Sequence, residues 1–278
     1  MGRRRRTLTV VVLVSGAVTL AMAQTERATR AAPPPLAATA RTGTLAGGPA
    51  AATGRGSLAG RVTFRGDAPA LPPLEVAKDR ETCGERVPSE ALLVSPRTRG
   101  VRYAVVSLEG APPAGATEAG EATLENRRCR FAPHVLAVRV GTELAIVNGD
   151  PVLHNLRGWL DGQRALFNVV QPTQGQVTQR TIKRAGVIRL TCDAHAHMGG
   201  YVLAFDHPYF GVTDEDGDFS IAQVPAGTYR LTVWHEGWKV VQRDPQGHLT
   251  YEAPRVVSRD VTVPEPGGGP LIIELGAD

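Results

Sequence analysis

The sequence predicts an all-β protein made of more than one sandwich. Glycine and proline are abundant, 31 and 21 of 278 residues, while aromatic residues make up 5 %. The apolar runs are short, and several alternate with polar residues at the period of a half-buried strand. Such a composition favours packed sheets over helical bundles, and 278 residues can hold one large or two small domains.

Taken in order, the chain opens on Arg3, Arg4, Arg5 and Arg6, then an apolar stretch over 7–20, then Ala21-Met22-Ala23. This is the pattern of a secretory signal cut after Ala23, which implies a periplasmic or secreted protein. The apolar stretch is short for a span of ~20 residues, so no membrane span is expected after cleavage. Cleavage removes four arginines and takes the formal charge from +4 to neutral, which leaves no basic excess for nucleic acid. Residues 24–55, rich in Ala, Pro, Thr and Gly, are expected to be a disordered linker. A strand is predicted over 57–64, followed by a Pro-rich connector to Cys83, a second strand over 101–108, and a Pro/Gly/Ala-rich surface loop over 111–120. Further strands are predicted over 136–140, 144–148, 176–182, 186–191 and 201–205. The stretch 157–173 is the least strand-like and is expected to wrap an edge.

The chemistry concentrates in Thr191-Cys192-Asp193-Ala194-His195-Ala196-His197-Met198-Gly199-Gly200-Tyr201. A thiolate, imidazoles and a thioether form the soft set that selects copper over magnesium, calcium or manganese. Cysteine plus two histidines with a weak axial methionine is the arrangement of blue-copper sites. Cys192, His195 and Met198 supply three ligands. His154, in Asp150-Pro151-Val152-Leu153-His154-Asn155 after an apolar strand, is the candidate fourth. Zinc is the rival, but structural zinc sites close with Cys and His and use no thioether. One cysteine in the loop predicts a mononuclear site.

These residues carry a resemblance. Cys-x2-His-x2-Met with an upstream His-Asn resembles the cupredoxins of the amicyanin and plastocyanin kind, from about Phe131 to Asp206. The resemblance implies a Greek-key β-sandwich holding one type 1 copper ion on His154, Cys192, His195 and Met198. It implies that Asn155 ties the two ligand loops together near the sulfur, and that His195 lies at the surface as the electron port. Related loops carry an aromatic residue just before the methionine. Here His197 stands there and remains open as an alternative ligand or pH-sensitive neighbour.

A second resemblance follows. Thr213-Asp214-Glu215-Asp216-Gly217-Asp218-Phe219, then Pro225-Ala226-Gly227-Thr228-Tyr229, is similar to the turn and corner of the transthyretin-like sandwich of carboxypeptidase regulatory domains. Gly60-Arg61-Val62 and Ala104-Val105-Val106 match its first two strands. The expected fold is therefore a cupredoxin-like sandwich inserted in a carboxypeptidase-regulatory-like one. Residues 56–125 would provide N-terminal strands of the outer sandwich, 126–206 the insert, and 207–278 the remainder. Three consecutive β modules are the alternative.

Cys83 and Cys129 are expected to pair in an oxidising compartment. His134 is expected to pack or cap, while His207, His235 and His248 are expected to be structural or surface residues. Asp214, Asp216 and Asp218 fit a tight turn and lack the closing Glu of a calcium loop. Trp159, Trp234 and Trp238 are expected in packing, with a docking patch near His154 as the alternative for Trp159. No catalytic constellation is visible, so an enzyme is not expected. The expected function is electron transfer with a redox partner such as a cytochrome or dehydrogenase. Two alternatives stay open: a non-redox copper protein for storage, delivery or sensing, and a structural or carbohydrate-binding β-sandwich with a vestigial site.

Overall fold

A computed structural model describes residues 54–112, 119–263 and 270–276. The expected signal segment, the linker up to residue 53 and residues 113–118 of the expected surface loop lie outside them. The chain begins with β1 (Arg55–Arg65), a short β2 (Leu74–Glu75), a single turn α1 (Arg80–Cys83), β3 (Arg86–Val87) and β4 (Val105–Glu109). Then come β5 (Glu121–Asn126), β6 (Phe131–Ala132), β7 (Val135–Arg139), β8 (Glu143–Asn148), β9 (His154–Leu160), β10 (Arg164–Gln171), β11 (Val177–Thr181), β12 (Gly186–Cys192) and β13 (Gly199–Phe205). The last part holds β14 (Phe210–Val212), β15 (Asp218–Pro225), β16 (Gly227–His235), β17 (Val240–Arg243), β18 (Leu249–Tyr251), β19 (Arg255–Val263) and β20 (Leu271–Gly276). Among the described residues no helix is long and apolar enough to cross a membrane.

Strand pairing divides these elements into two sandwiches. The outer one packs sheet β15-β1-β20 against sheet β14-β4-β16-β19. The inner one packs β10-β9-β12-β13-β7 against β11-β8-β5-β6. The inner sandwich is thus spliced into the outer one between β4 and β14, as the expected fold class has it. β5 pairs in parallel with β8, so the insert starts at Glu121, some residues before the expected 126. β5 reads Glu-Ala-Thr-Leu-Glu-Asn and buries only Leu124 and Asn126, too little apolar pattern to show in the sequence.

In the outer sandwich, β1 points Leu58, Val62 and Phe64 inward with strict alternation. Gly60 takes one inward position, because a Cβ there would lie 2.2 Å from the Leu271 carbonyl oxygen of the parallel neighbour β20. The Asp-Gly turn closes as expected: the Asp214 carboxylate accepts the Asp216 and Asp218 N–H groups, and Gly217 takes φ 79°.

The stretch expected to wrap an edge is instead two regular strands. β9 and β10 pair antiparallel, with His154 opposite Gln171 and Leu160 opposite Arg164. Gly158 interrupts the apolar pattern, but the Phe167 ring of β10 lies over it and fills the missing side chain's space. Gln171 is buried, and its amide donates to the Ile146 and Gln176 carbonyls. A glycine and a glutamine at inward positions are what made these strands look irregular.

The sandwiches meet through Tyr103, Val105, Val135, Leu203 and Trp234, with the Tyr201 and Trp234 rings 5.2 Å apart edge to face. Next to this apolar contact, His134 of the insert bonds Glu236 of the outer sandwich, both buried. Burial alone lowers the His134 pKa, but the Glu236 charge and hydrogen bond outweigh it and hold it above 6.5. The pair's contribution to stability is then full below about pH 6.5 and is lost as pH rises through the folded value. Urea denaturation from about pH 6 to pH 9 is expected to show a fall in stability with rising pH that Glu236→Gln lacks. Equal pH slopes in the two proteins would deny the pair this role.

Candidate metal centre

β12 ends at Cys192 and β13 starts at Gly199. Two backbone turns bridge them: the His195 N–H reaches the Cys192 carbonyl at 3.2 Å, and the Met198 N–H reaches the His195 carbonyl at 2.9 Å. The spacing Cys-x2-His-x2-Met thus corresponds to two successive i to i+3 turns, with each candidate ligand at a corner. His154 is the first residue of β9, which lies antiparallel to β12 with Leu156 opposite Cys192. That register brings His154 to the end of the sheet where the turns begin.

The thiol, both imidazoles and Met198 are buried: Cys192 and His154 are 0 % exposed, His195 2 % and Met198 3 %. Cys192 Sγ lies 3.8 Å from His154 Nδ1 and 3.9 Å from His195 Nδ1. A thiol and two imidazoles whose donor atoms lie within 4.8 Å of one another form a soft S,N,N set that fits copper. Met198 packs in the same core as Cys192.

Each imidazole is fixed from its far side by a carboxylate. Asp150 Oδ2 accepts from His154 Nε2 at 3.1 Å, and Asp79 Oδ2 accepts from His195 Nε2 at 2.9 Å. With Nε2 taken by the carboxylate, Nδ1 is the nitrogen that faces the sulfur, a donor to the thiolate when protonated and free to bind a metal when not. Asp150 in turn accepts the Arg128 and Cys129 N–H groups at 2.7 and 2.8 Å. Asn155 joins the two ligand segments: its N–H donates to Cys192 Sγ at 3.4 Å, its carbonyl accepts the Asp193 N–H at 3.0 Å, and its amide reaches Asp193 Oδ2 at 3.3 Å.

His197 stands apart. Its Nε2 donates to the Cys129 carbonyl at 3.1 Å, and burial pushes its pKa down to about 4. Cys83 and Cys129 form a disulfide, Cα atoms 5.3 Å apart, against the same two histidines. Sulfurs joined in this way are not thiolate ligands, which leaves His154, Cys192 and His195 as the metal-competent set. The surface port implied for His195 is not found: its side chain is fully covered, with Asp79 across its outer edge. Trp159 Nε1 donates to Thr191 Oγ1 at 3.2 Å, on the strand leading to Cys192.

Three contributors escaped the sequence. Asp150 read only as part of a turn, although its i, i+4 spacing to His154 was a signal. Asp79 is 116 residues from His195. His248, in the β17–β18 hairpin, donates from Nε2 to the Cys192 carbonyl at 3.2 Å, while its Nδ1 bonds Asp244. Arg189 beside it donates to the Leu249 carbonyl at 2.6 Å.

A family model described as polysaccharide lyase family 4, domain II, matches residues 199–250, from β13 across to β18. No curated protein matches the chain. Similar solved structures include a purple cupredoxin from Nitrosopumilus maritimus, 23 % identical over 30 % of this chain and 99 % of its own, TM-score 0.28. A methionine-to-alanine variant of amicyanin in its Cu(I) form is 22 % identical over 37 % of this chain and 99 % of its own, TM-score 0.29. A Cu-containing nitrite reductase from Thermus scotoductus SA-01 is 22 % identical over 34 % of this chain and 25 % of its own, TM-score 0.28. At these TM-scores the likeness carries no argument by itself, and the fold stands on the strand pairing above.

In the metal-free protein, burial raises the Cys192 pKa. Hydrogen bonds from His154, His195 and the Asn155 N–H outweigh it and bring the thiol down to about 6, while His154 rises to about 9. Thiolate ultraviolet absorbance of metal-free protein is expected to titrate near pH 6, and His154→Gln is expected to move the midpoint toward the ordinary thiol range of about 8.5. An unmoved midpoint would show that His154 does not stabilise the thiolate.

Proposed function

We propose that this chain is an exported, mononuclear type 1 copper protein that transfers electrons by an outer-sphere route, and that it is not an enzyme. The observation that carries this is the buried convergence of the Cys192 thiol with His154 and His195 at 3.8 and 3.9 Å, with Met198 buried in the same core. Bound copper supplies a one-electron couple. The chain's residues supply rigidity: β9, β12 and β13 are paired strands, so the ligands they bear move little between redox states. With copper bound, the Asn155 N–H on the sulfur and the Met198 thioether would tune its potential. The N-terminal signal pattern supports export to the periplasm or beyond. The outer sandwich we read as carboxypeptidase-regulatory-like, a carrier for the insert. The partner class is another one-electron protein, such as a cytochrome or dehydrogenase.

The covering of His195 favours a second reading, copper held without turnover for storage or delivery. Protein produced with copper is expected to show an intense blue band that Cys192→Ala abolishes, and survival of that band in the variant would refute the ligand assignment. A reversible one-electron wave in voltammetry, displaced in Met198→Leu, is expected of the carrier. Its absence would leave the storage reading.

A further inference from the structure

We propose that Asp79 is a positioning residue for His195, clamped by the Cys83–Cys129 disulfide, and that the turn bearing it seals the thiolate from solvent. The proposal deepens the reading above, since it takes His195 as a ligand. Asp79 sits in the left-handed region at φ 55°, which aspartate tolerates better than most residues, just before α1. An aspartate in that place usually turns its carboxylate onto the first N–H groups of the helix. Here the side chain caps nothing; the Asp79 backbone carbonyl takes the Thr82 and Cys83 N–H groups instead. The carboxylate is thereby released to reach His195 Nε2 at 2.9 Å.

The disulfide lies four residues on. Cys83 is joined to Cys129, and each sulfur lies within 4.8 Å of a His195 ring nitrogen. The Cys129 N–H donates to Asp150, the carboxylate that holds His154. The Cys129 carbonyl accepts from His197. A continuous frame therefore runs from His195 through Asp79, Cys83, Cys129 and Asp150 to His154. One covalent bond fixes the supports of both imidazoles. Half of that frame comes from the connector between β1 and β4, outside the sandwich that bears the ligands.

The test uses the copper-free full-length protein first. Alkylation of Cys192 by iodoacetamide is expected to be at least about tenfold faster in Asp79→Ala than in wild type, since access limits a buried thiol. Nitrogen-15 NMR is expected to show a proton fixed on His195 Nε2 in wild type and a tautomer mixture in the variant. Asp79→Asn, whose Oδ1 still accepts a hydrogen bond, is expected to restore both readouts. The paired variant Cys83→Ser with Cys129→Ser is expected to follow Asp79→Ala. With copper, Asp79→Ala is expected to weaken binding about 10- to 100-fold. A folded Asp79→Ala protein with wild-type alkylation rate and unchanged tautomer would overturn the proposal. Wild type that binds no copper would overturn the function above, and the copper-free readouts would still decide the role of Asp79.

Discussion

A thiol with no exposed surface, met by two imidazoles and a backbone N–H, is the constraint around which the insert is built. Burial alone favours the neutral thiol. The thiolate is tolerated at Cys192 because His154, His195 and the Asn155 N–H all converge on its sulfur. Each donor is itself held: the imidazoles by Asp150 and Asp79, the N–H by the β9–β12 register. Loss of any one support leaves a charged or polar group buried without its partner, the costly outcome in a low-dielectric interior.

Those supports do not all belong to the sandwich that carries the sulfur. Asp79 comes from the connector between β1 and β4, and His248, bonded to the Cys192 carbonyl, from the β17–β18 hairpin. The outer sandwich and its connector therefore touch the centre on two sides. The apolar contact of Tyr201 with Trp234 and the buried His134–Glu236 pair keep the two sandwiches in one arrangement. The insertion topology thus does more than house the inner fold, because it brings side chains of the outer chain segments to the ligands.

Local chemistry was legible in the sequence and distant support was not. Cys192, His195 and Met198 stand out because their spacing corresponds to two short turns, and His154 because an apolar strand delivers it through a Pro turn. The outer sandwich was legible through its Asp-Gly turn and the alternation of β1. The strands β9 and β10 were hidden by Gly158 and Gln171, inward residues whose roles appear only once Phe167 and the neighbouring carbonyls are in place. Asp79 and His248 act across 116 and 56 residues, and no periodicity encodes such a contact. The implied surface exposure of His195 failed for the same reason, since the segment that covers it belongs to another part of the chain.

The pairing of β1 has a consequence for synthesis. Its hydrogen-bonded neighbours are β15 and β20, near the far end of the chain, and those of β4 are β14 and β16. The inner sheets use only β5 to β13. On an emerging chain the inner sandwich can close while the first strands of its host still wait, apolar faces bare, for partners not yet made. Such long-range closure is slow and exposed to aggregation. The host is therefore the last part to mature, and it does so around a finished guest.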